Sequence, residues 1–591
     1  MAFPGASAHH TPRWRTAGVR AAAVFSVLTT LLLAACGSNT AGPQTLAQNQ
    51  VFTWPYAGQA SKIAYGAMLD PASLQYAADT GSINMLFVGL LSLDKGLNVQ
   101  ADAAAALPEI DTSGKVYTFH LRPNMKFSDG QPITAHDFAY SIDRALDPRL
   151  CDPTAFGGAI NDHSFDGLTY GTGSPDPSPS PCGNVAAGYL NHILGADNKV
   201  NLTPSPRTAV PSLISDHDDA TKGLSVIDPL TLRIRLDQPI SYFMEAMTYP
   251  TSYAVEESFI NKYPGGTWVD HLDQGGCSGP FKVQSYGNNS TQLTMVPNDA
   301  WETAWNAPIT LTKVVRPVIT SSDDAYTSYK QGLYDEVDVP NASFPTAQGQ
   351  GDFHQTATLV TRYFGLNQKK APFDNLQVRQ AFALALNKQI LVDGVTQGGA
   401  TPTNHFVPAG MPGYDPSLVN PDADGTPSVT GNQDAAKKLL KQAQDSCPAT
   451  VSRFDKTHDY CAYITGSSLL PIVVTYRDGK QTEEKIAKGA ANQWSGALGL
   501  NVQAQSLDRH IFGRNISLPG AANNPLQMWN IGWLADYADP QDFLTNIFHT
   551  GALYNAFGIS DPTLDQLMDQ ADKTLDQAKR MQMYNQAEQS V

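Results

Sequence analysis

Residues 106–148 read ALPEIDTSGKVYTFHLRPNMKFSDGQPITAHDFAYSIDRALDP, and the stretch changes period midway. Val116 to Leu121 (VYTFHL) is β-branched and aromatic, the composition of a strand. Thr134 then opens a helix. Asp137 stands three residues on, where the carboxylate of a capping box belongs, and Phe138, Ile142, Ala145 and Leu146 share one face. A strand followed by an amphipathic helix is the unit from which α/β lobes are assembled.

The alternation extends in both directions. Strand-like and helix-like segments begin at Val51, and Leu232 to Leu236 (LRIRL) is a clean alternating strand. Val378 to Leu386 and Glu483 to Leu498 carry helical spacing. Pro471 to Tyr476 reads as a strand, and Met528 to Leu534 as another. A chain of 591 residues is expected to divide into two or more domains. Residues 151 to about 222 interrupt the pattern. GTGSPDPSPSPCG (171–183) is turn-rich, and the stretch reads as an insertion or long surface excursion. No fixed-period repeat is present.

The N-terminus carries Arg13, Arg15 and Arg20 ahead of an apolar run from Ala21 to Ala35. This is the order of a secretory signal, and the run falls short of the roughly 20 residues that span a bilayer. It closes on Leu33-Ala34-Ala35-Cys36, which resembles a bacterial lipobox. That resemblance implies lipidation of Cys36, removal of residues 1–35 and a protein tethered outside the cytoplasmic membrane. Residues 36–50, small and polar, read as the lipidated cysteine and a flexible tether. Net charge is -16, and removing the leader's three arginines takes it near -19. Such a balance argues against nucleic acid and against an anionic membrane surface as partners. Of six cysteines, sequence proximity suggests Cys151–Cys182 and Cys447–Cys461 as disulfides, leaving Cys277 over; other pairings, or free buried thiols, stay open. No Cys-x-x-Cys pair is present.

Four blocks in the order of a known family span most of the chain. The first is the quoted stretch, with Tyr117-Thr118-Phe119, Leu121-Arg122, Lys126-Phe127, Asp129-Gly130 and Thr134-Ala135-x-Asp137. The second runs from Gly279-Pro280-Phe281 to Asn298-Asp299-Ala300-Trp301. The third is YFGLNQKKAPFDNLQVRQAFALALNKQILVDGV (363–395), and the fourth GWLADYADPQDFL (532–544). Together with the lipobox they resemble the bacterial extracellular solute-binding proteins of family 5, the oligopeptide- and dipeptide-binding lipoproteins of ABC importers. The resemblance implies an α/β, two-lobed periplasmic-binding-protein-like fold with the ligand cleft between lobes. Lobe one is expected over 51–313, with an extra subdomain at about 80–240, and lobe two over 314–591. Family members continue past the helix matching Thr574–Val591 and return to lobe one, so this chain is expected to stop short of that return.

A peptide needs a carboxylate for its α-ammonium and a cation for its carboxylate. In peptide-binding relatives the aspartate of Gly-Trp-x-x-Asp holds the ammonium. Here the motif is Gly532-Trp533-Leu534-Ala535-Asp536, which makes Asp536 the first candidate, while Asp539-Pro540 fits a turn. Trp533 and Tyr537 flank it and read either as pocket walls or as core packing. Arg477, counted back from Trp494, falls where dipeptide-binding relatives hold the ligand's carboxylate; an exposed Arg-Asp-Gly-Lys turn is the other reading. Arg122 and Arg379 read as structural. Enzyme signatures are missing: there is no nucleophile elbow, zinc helix or phosphate loop. Asn420, Asp422, Asp424 and Gly425 imitate a calcium loop, but Gly431 stands where its glutamate belongs. The expectation is therefore a monomeric peptide-capturing lipoprotein that docks on a permease, with no cofactor. The alternatives are the same fold holding a nickel chelate, haem, an oligosaccharide or an opine, or else a secreted hydrolase or sensor.

Overall fold

The computed structural model describes residues 7–9, 50–57, 69–73, 80–147, 186, 189–200, 210–263, 267–286, 291–305, 308–418, 425, 428–448, 460–465, 469–516, 524–552 and 554–591. The stretch read first folds as its period dictates, into the strand Val116–His120 and the helix Ala135–Ala145. The helix begins where it does because the Asp137 carboxylate accepts from the Thr134 amide at 2.8 Å and from its hydroxyl at 2.9 Å. Phe138, Ile142 and Ala145 are fully buried on the inner face of that helix.

Lobe one holds two five-stranded sheets. One runs in the order Glu109–Ile110, Val116–His120, Thr231–Arg235, Leu224–Asp228, Ile214–Ser215. Its register sets Leu232 against Phe119 and Ile234 against Tyr117, so the alternating residues enter a single core. The other joins Phe281–Ser285, Gln292–Pro297, Lys313–Ile319 and Val51–Thr53, with Tyr56–Ala57 also beside Lys313–Ile319. Lys313–Ile319 lies wholly in this sheet.

Lobe two is built on the strands Val360–Leu366, Met528–Leu534, Ile472–Arg477 and Val502–Leu507, in that order. The last three are parallel, and Val360–Leu366 is an antiparallel edge paired from Val360–Leu534 to Leu366–Met528. Helices Leu376–Ala385, Gln433–Asp445 and Gln481–Leu498 bury one face around Phe382, Trp494 and Val474. Gln541–Phe548, Pro562–Lys573 and Gln577–Ser590 bury the other around Trp529, Phe543 and Tyr584. Strands covered on both sides read as unbroken apolar runs such as IVVTY and MWNIGWL. The carboxyl ends of the parallel strands, at Arg477, Leu507 and Leu534, share one edge, the edge at which open α/β sheets keep their ligands.

Three features bear on the sequence expectations. The break at 151 to about 222 reads from sequence as an insertion or long surface excursion, and part of it is buried. Tyr189, Leu190, Ile193 and Ala196 lie in the lobe-one core, because their apolar side chains recur at helical spacing just after the turn-rich stretch. Ser7–His9, inside the stretch read as a leader, forms the middle strand between Glu336–Asp338 and Phe353–His354, antiparallel to both. Cys447 and Cys461 are disulfide-bonded and Cys277 is a buried free thiol, whereas Cys36, Cys151 and Cys182 lie outside the described residues, as do residues 420–424 of the calcium-like turn. No helix among the described residues is long and apolar enough to cross a membrane.

Candidate functional site

Asp536 sits two residues past the end of the Met528–Leu534 strand, at the seam between the lobes. Its turn is fixed by Asp542, whose carboxylate accepts from the Asp536 amide at 3.0 Å, the Trp533 indole at 3.1 Å and the Asn546 amide at 3.2 Å. Burial pushes the Asp536 carboxyl up to about 6, against the opposing pull of a hydrogen bond from the Tyr249 hydroxyl. Asp542 is raised well above the carboxylate range, first by burial and then by the Asp536 charge. Among the described residues, neither carboxyl forms an ion pair with a lysine, arginine or histidine side chain. Two buried carboxyls with no lysine, arginine or histidine partner among the described residues make a place where positive charge is favoured.

Lobe one faces this turn with tyrosines. Tyr249 reaches Asp536, and Tyr189 packs edge-on against Tyr249 at 5.6 Å and against Tyr537 at 5.4 Å. Tyr537 stacks on Tyr242, with centroids 5.8 Å apart. Tyr537 is fully buried in the lobe-one core and packs across the seam. Trp533 is partly buried, edge-on to Tyr554 at 4.6 Å, and spends its N–H on Asp542.

Asp539, in the same turn, has a different neighbour. Arg580 on the Gln577–Ser590 helix lies 3.0 Å from its carboxylate, with both side chains almost wholly buried. The same guanidinium donates to the Ser241 hydroxyl of lobe one at 3.1 Å, and the Ser241 amide donates to the Asp572 carbonyl at 2.8 Å. Asp572 and Glu245 are each pushed up to about 7, chiefly by burial. Glu245 Oε2 and Arg580 Nε are buried without a hydrogen-bond partner among the described residues.

Arg477 closes the Ile472–Arg477 strand on the same sheet edge. It does not form an exposed turn. Its Nε lies 3.1 Å from both oxygens of the buried Glu483, and its Nη2 also donates to Glu483. Glu483 lies in the first turn of the Gln481–Leu498 helix. A second guanidinium, Arg362, approaches the same carboxylate at 3.8 Å and keeps 43% of its side chain exposed. Arg362 pairs with Gly532 across the ladder, and a Cβ at Gly532 would lie 3.3 Å from the Arg362 side chain.

The structure thus brings Asp536, Trp533 and Tyr537 together and sets Arg477 on the same edge. Arg122 and Arg379 bind backbone carbonyls, of Asp102 at 2.5 Å and Phe373 at 2.7 Å. Sequence reasoning missed Tyr189, Tyr249, Asp542, Arg362, Glu483 and Arg580. Asp542 left a local signal, as the third aspartate in the seven residues 536–542, and Glu483 stands six residues after Arg477; the others come from distant segments. Two open cavities lie elsewhere, one of about 300 Å³ beside Asp273 and one of about 600 Å³ beside Lys369 and Gln527.

Known proteins resemble this chain in sequence and in fold. Residues 98–555 match the model of the bacterial extracellular solute-binding proteins, family 5 middle. The periplasmic oligopeptide-binding protein OppA of Escherichia coli (strain K12) is 26% identical over 535 residues, 88% of this chain and 82% of the relative. The dipeptide-binding protein DppE of Bacillus subtilis (strain 168) is 25% identical over 513 residues, 86% of this chain and 79% of the relative. In fold, the solved murein tripeptide binding protein MppA of Escherichia coli superposes with a TM-score of 0.66 at 22% identity, covering 92% of this chain and 91% of that one.

Proposed function

We infer that this chain, which belongs to the bacterial extracellular solute-binding proteins of family 5, captures peptides outside the cytoplasmic membrane and delivers them to an ABC importer. The observation that carries the reading is the Asp536–Asp542 pair, buried at the seam with no lysine, arginine or histidine partner among the described residues. A peptide's α-ammonium is the counter-ion such a pair accepts. The names of the oligopeptide- and dipeptide-binding relatives support the same ligand class.

Asp536 is assigned to the ligand's ammonium, and Asp542 and Trp533 to holding Asp536 in place. Tyr249 and Tyr189 close the site from lobe one. An open form exposes the turn, ligand touches both lobes, and closure follows because only the closed form offers both sets of contacts. The chain acts as a monomer. Lipid on Cys36 keeps it at the membrane, where closed lobes dock on a permease pair and ATP is spent by that partner. No peptide bond is cut, so bound peptide is recovered intact.

The test is native mass spectrometry of protein beginning after Cys36, offered free and N-acetylated di- to pentapeptides. Retention of the free amines is expected, with a loss of about a hundredfold on acetylation or in Asp536→Asn, the scale of a buried charge-assisted contact. Equal retention of both sets, or of neither by folded protein, rejects the reading. For the anchor, Cys36→Ser is expected to move the protein from the membrane to the soluble fraction.

A further inference from the structure

Resting on the peptide reading, we propose that Arg362, and not Arg477, is the cation that meets the ligand's carboxylate. Arg477 is spent. Its Nε spans both oxygens of Glu483 at 3.1 Å, its Nη2 takes one of them again, and its backbone amide points to the same group at 3.4 Å. Glu483 is 3% exposed, so releasing Arg477 to a ligand would leave a buried carboxylate without its main partner.

Arg362 is placed differently. It stands 3.8 Å from Glu483, beyond hydrogen-bond distance, and 43% of its side chain is open. The cluster therefore holds two guanidiniums against one carboxylate, and its surplus positive charge sits on the more exposed arginine. Gly532, its partner across the ladder, carries no side chain to cover it. The N-terminus of the 18-residue Gln481–Leu498 helix adds positive potential from the same side.

The register sets the ligand's length. Arg362 pairs with Gly532, four residues before Asp536 on the same chain segment. At roughly 3.3 Å per extended residue, and with Asp536 in the turn after Leu534, the span is at most about 13 Å, the reach of up to about four peptide residues. The ligand class is a peptide with its ammonium on Asp536 and its C-terminal carboxylate on Arg362, of up to about tetrapeptide length.

Calorimetry of the full chain with tri-, tetra- and hexa-alanine, each as free acid and as C-terminal amide, tests this. The tetrapeptide acid is expected to bind about tenfold tighter than its amide, as a charge-assisted contact would give. Arg362→Gln should erase that ratio and leave the amide's affinity unchanged, and Arg362→Lys should restore part of it. Because Arg362 makes no hydrogen bond to Glu483 and 43% of its side chain is exposed, both variants should melt within a few degrees of the wild type. Arg362→Gln retaining the full ratio overturns the assignment. So does a wild type that ignores amidation while Asp536→Asn still abolishes binding, an outcome that spares the peptide reading. If no peptide binds the wild type, both fall.

Discussion

Asp536 and Asp539 lie three residues apart in one turn, and both carboxyls are held above the ordinary range by burial. Asp539 has Arg580 at 3.0 Å, itself bonded across the seam to Ser241. Asp536 has a tyrosine hydroxyl and a second carboxyl, Asp542, behind it. The first arrangement is complete within the protein and serves its architecture. The second has no lysine, arginine or histidine partner among the described residues, and on the proposed reading a ligand's ammonium completes it. The same contrast recurs at the other end of the sheet edge. Arg477 is saturated by Glu483, while Arg362 retains exposed positive charge.

The contrast breaks most sharply if Arg580 is lost. Arg580→Met should leave Asp539 buried without a partner and lower unfolding stability by about 3–5 kcal/mol, measured in urea. A loss within error would mean that Asp539 is neutral and that the two carboxyls are alike. Asp536→Asn should act oppositely on the ligand-free protein. A carboxyl whose pKa is raised by folding, from 3.8 to about 6, stabilises the fold while protonated and loses that contribution as pH rises through this interval. Wild type and variant should therefore match below pH 4. The variant's advantage should grow between pH 4 and 6 and level off above, at no more than about 3 kcal/mol. Melting curves across pH read it, and an advantage for wild type at pH 8 would place a cationic partner on Asp536. The ligand reverses the sign: affinity for free-amine peptides should fall below pH 6, as the carboxylate that binds them is protonated.

Both the fold and half of this contrast could be read from the chain. Thr134 and Asp137 set a helix start, and the runs at 471–476 and 528–534 read as strands. Asp536 was legible through Gly532-Trp533. Its surroundings were not, because Tyr189 and Tyr249 arrive from lobe one, hundreds of residues away, and Tyr189 follows directly on a turn-rich stretch that hides its burial. Arg477 shows the converse limit. Its position along the chain was readable, but its partner Glu483 sits six residues on in an ordinary helical run, and only folding aims that side chain at the strand end.

A finer probe separates Asp542 from Asp536. Trp533→Phe keeps a ring against Tyr554 and removes the indole donor from Asp542. Two donors remain on that carboxyl, the Asp536 amide and Asn546, so the cost to stability should stay near 1 kcal/mol. The consequence for binding differs in kind. With one donor fewer, Asp542 holds a negative charge less readily, the pair presents less of it to an ammonium, and affinity for free-amine peptides should drop several-fold while that for N-acetylated ones stays where it was. An equal drop for both would assign Trp533 to shape alone, and would leave Asp536 to attract the ammonium without help from the carboxyl behind it.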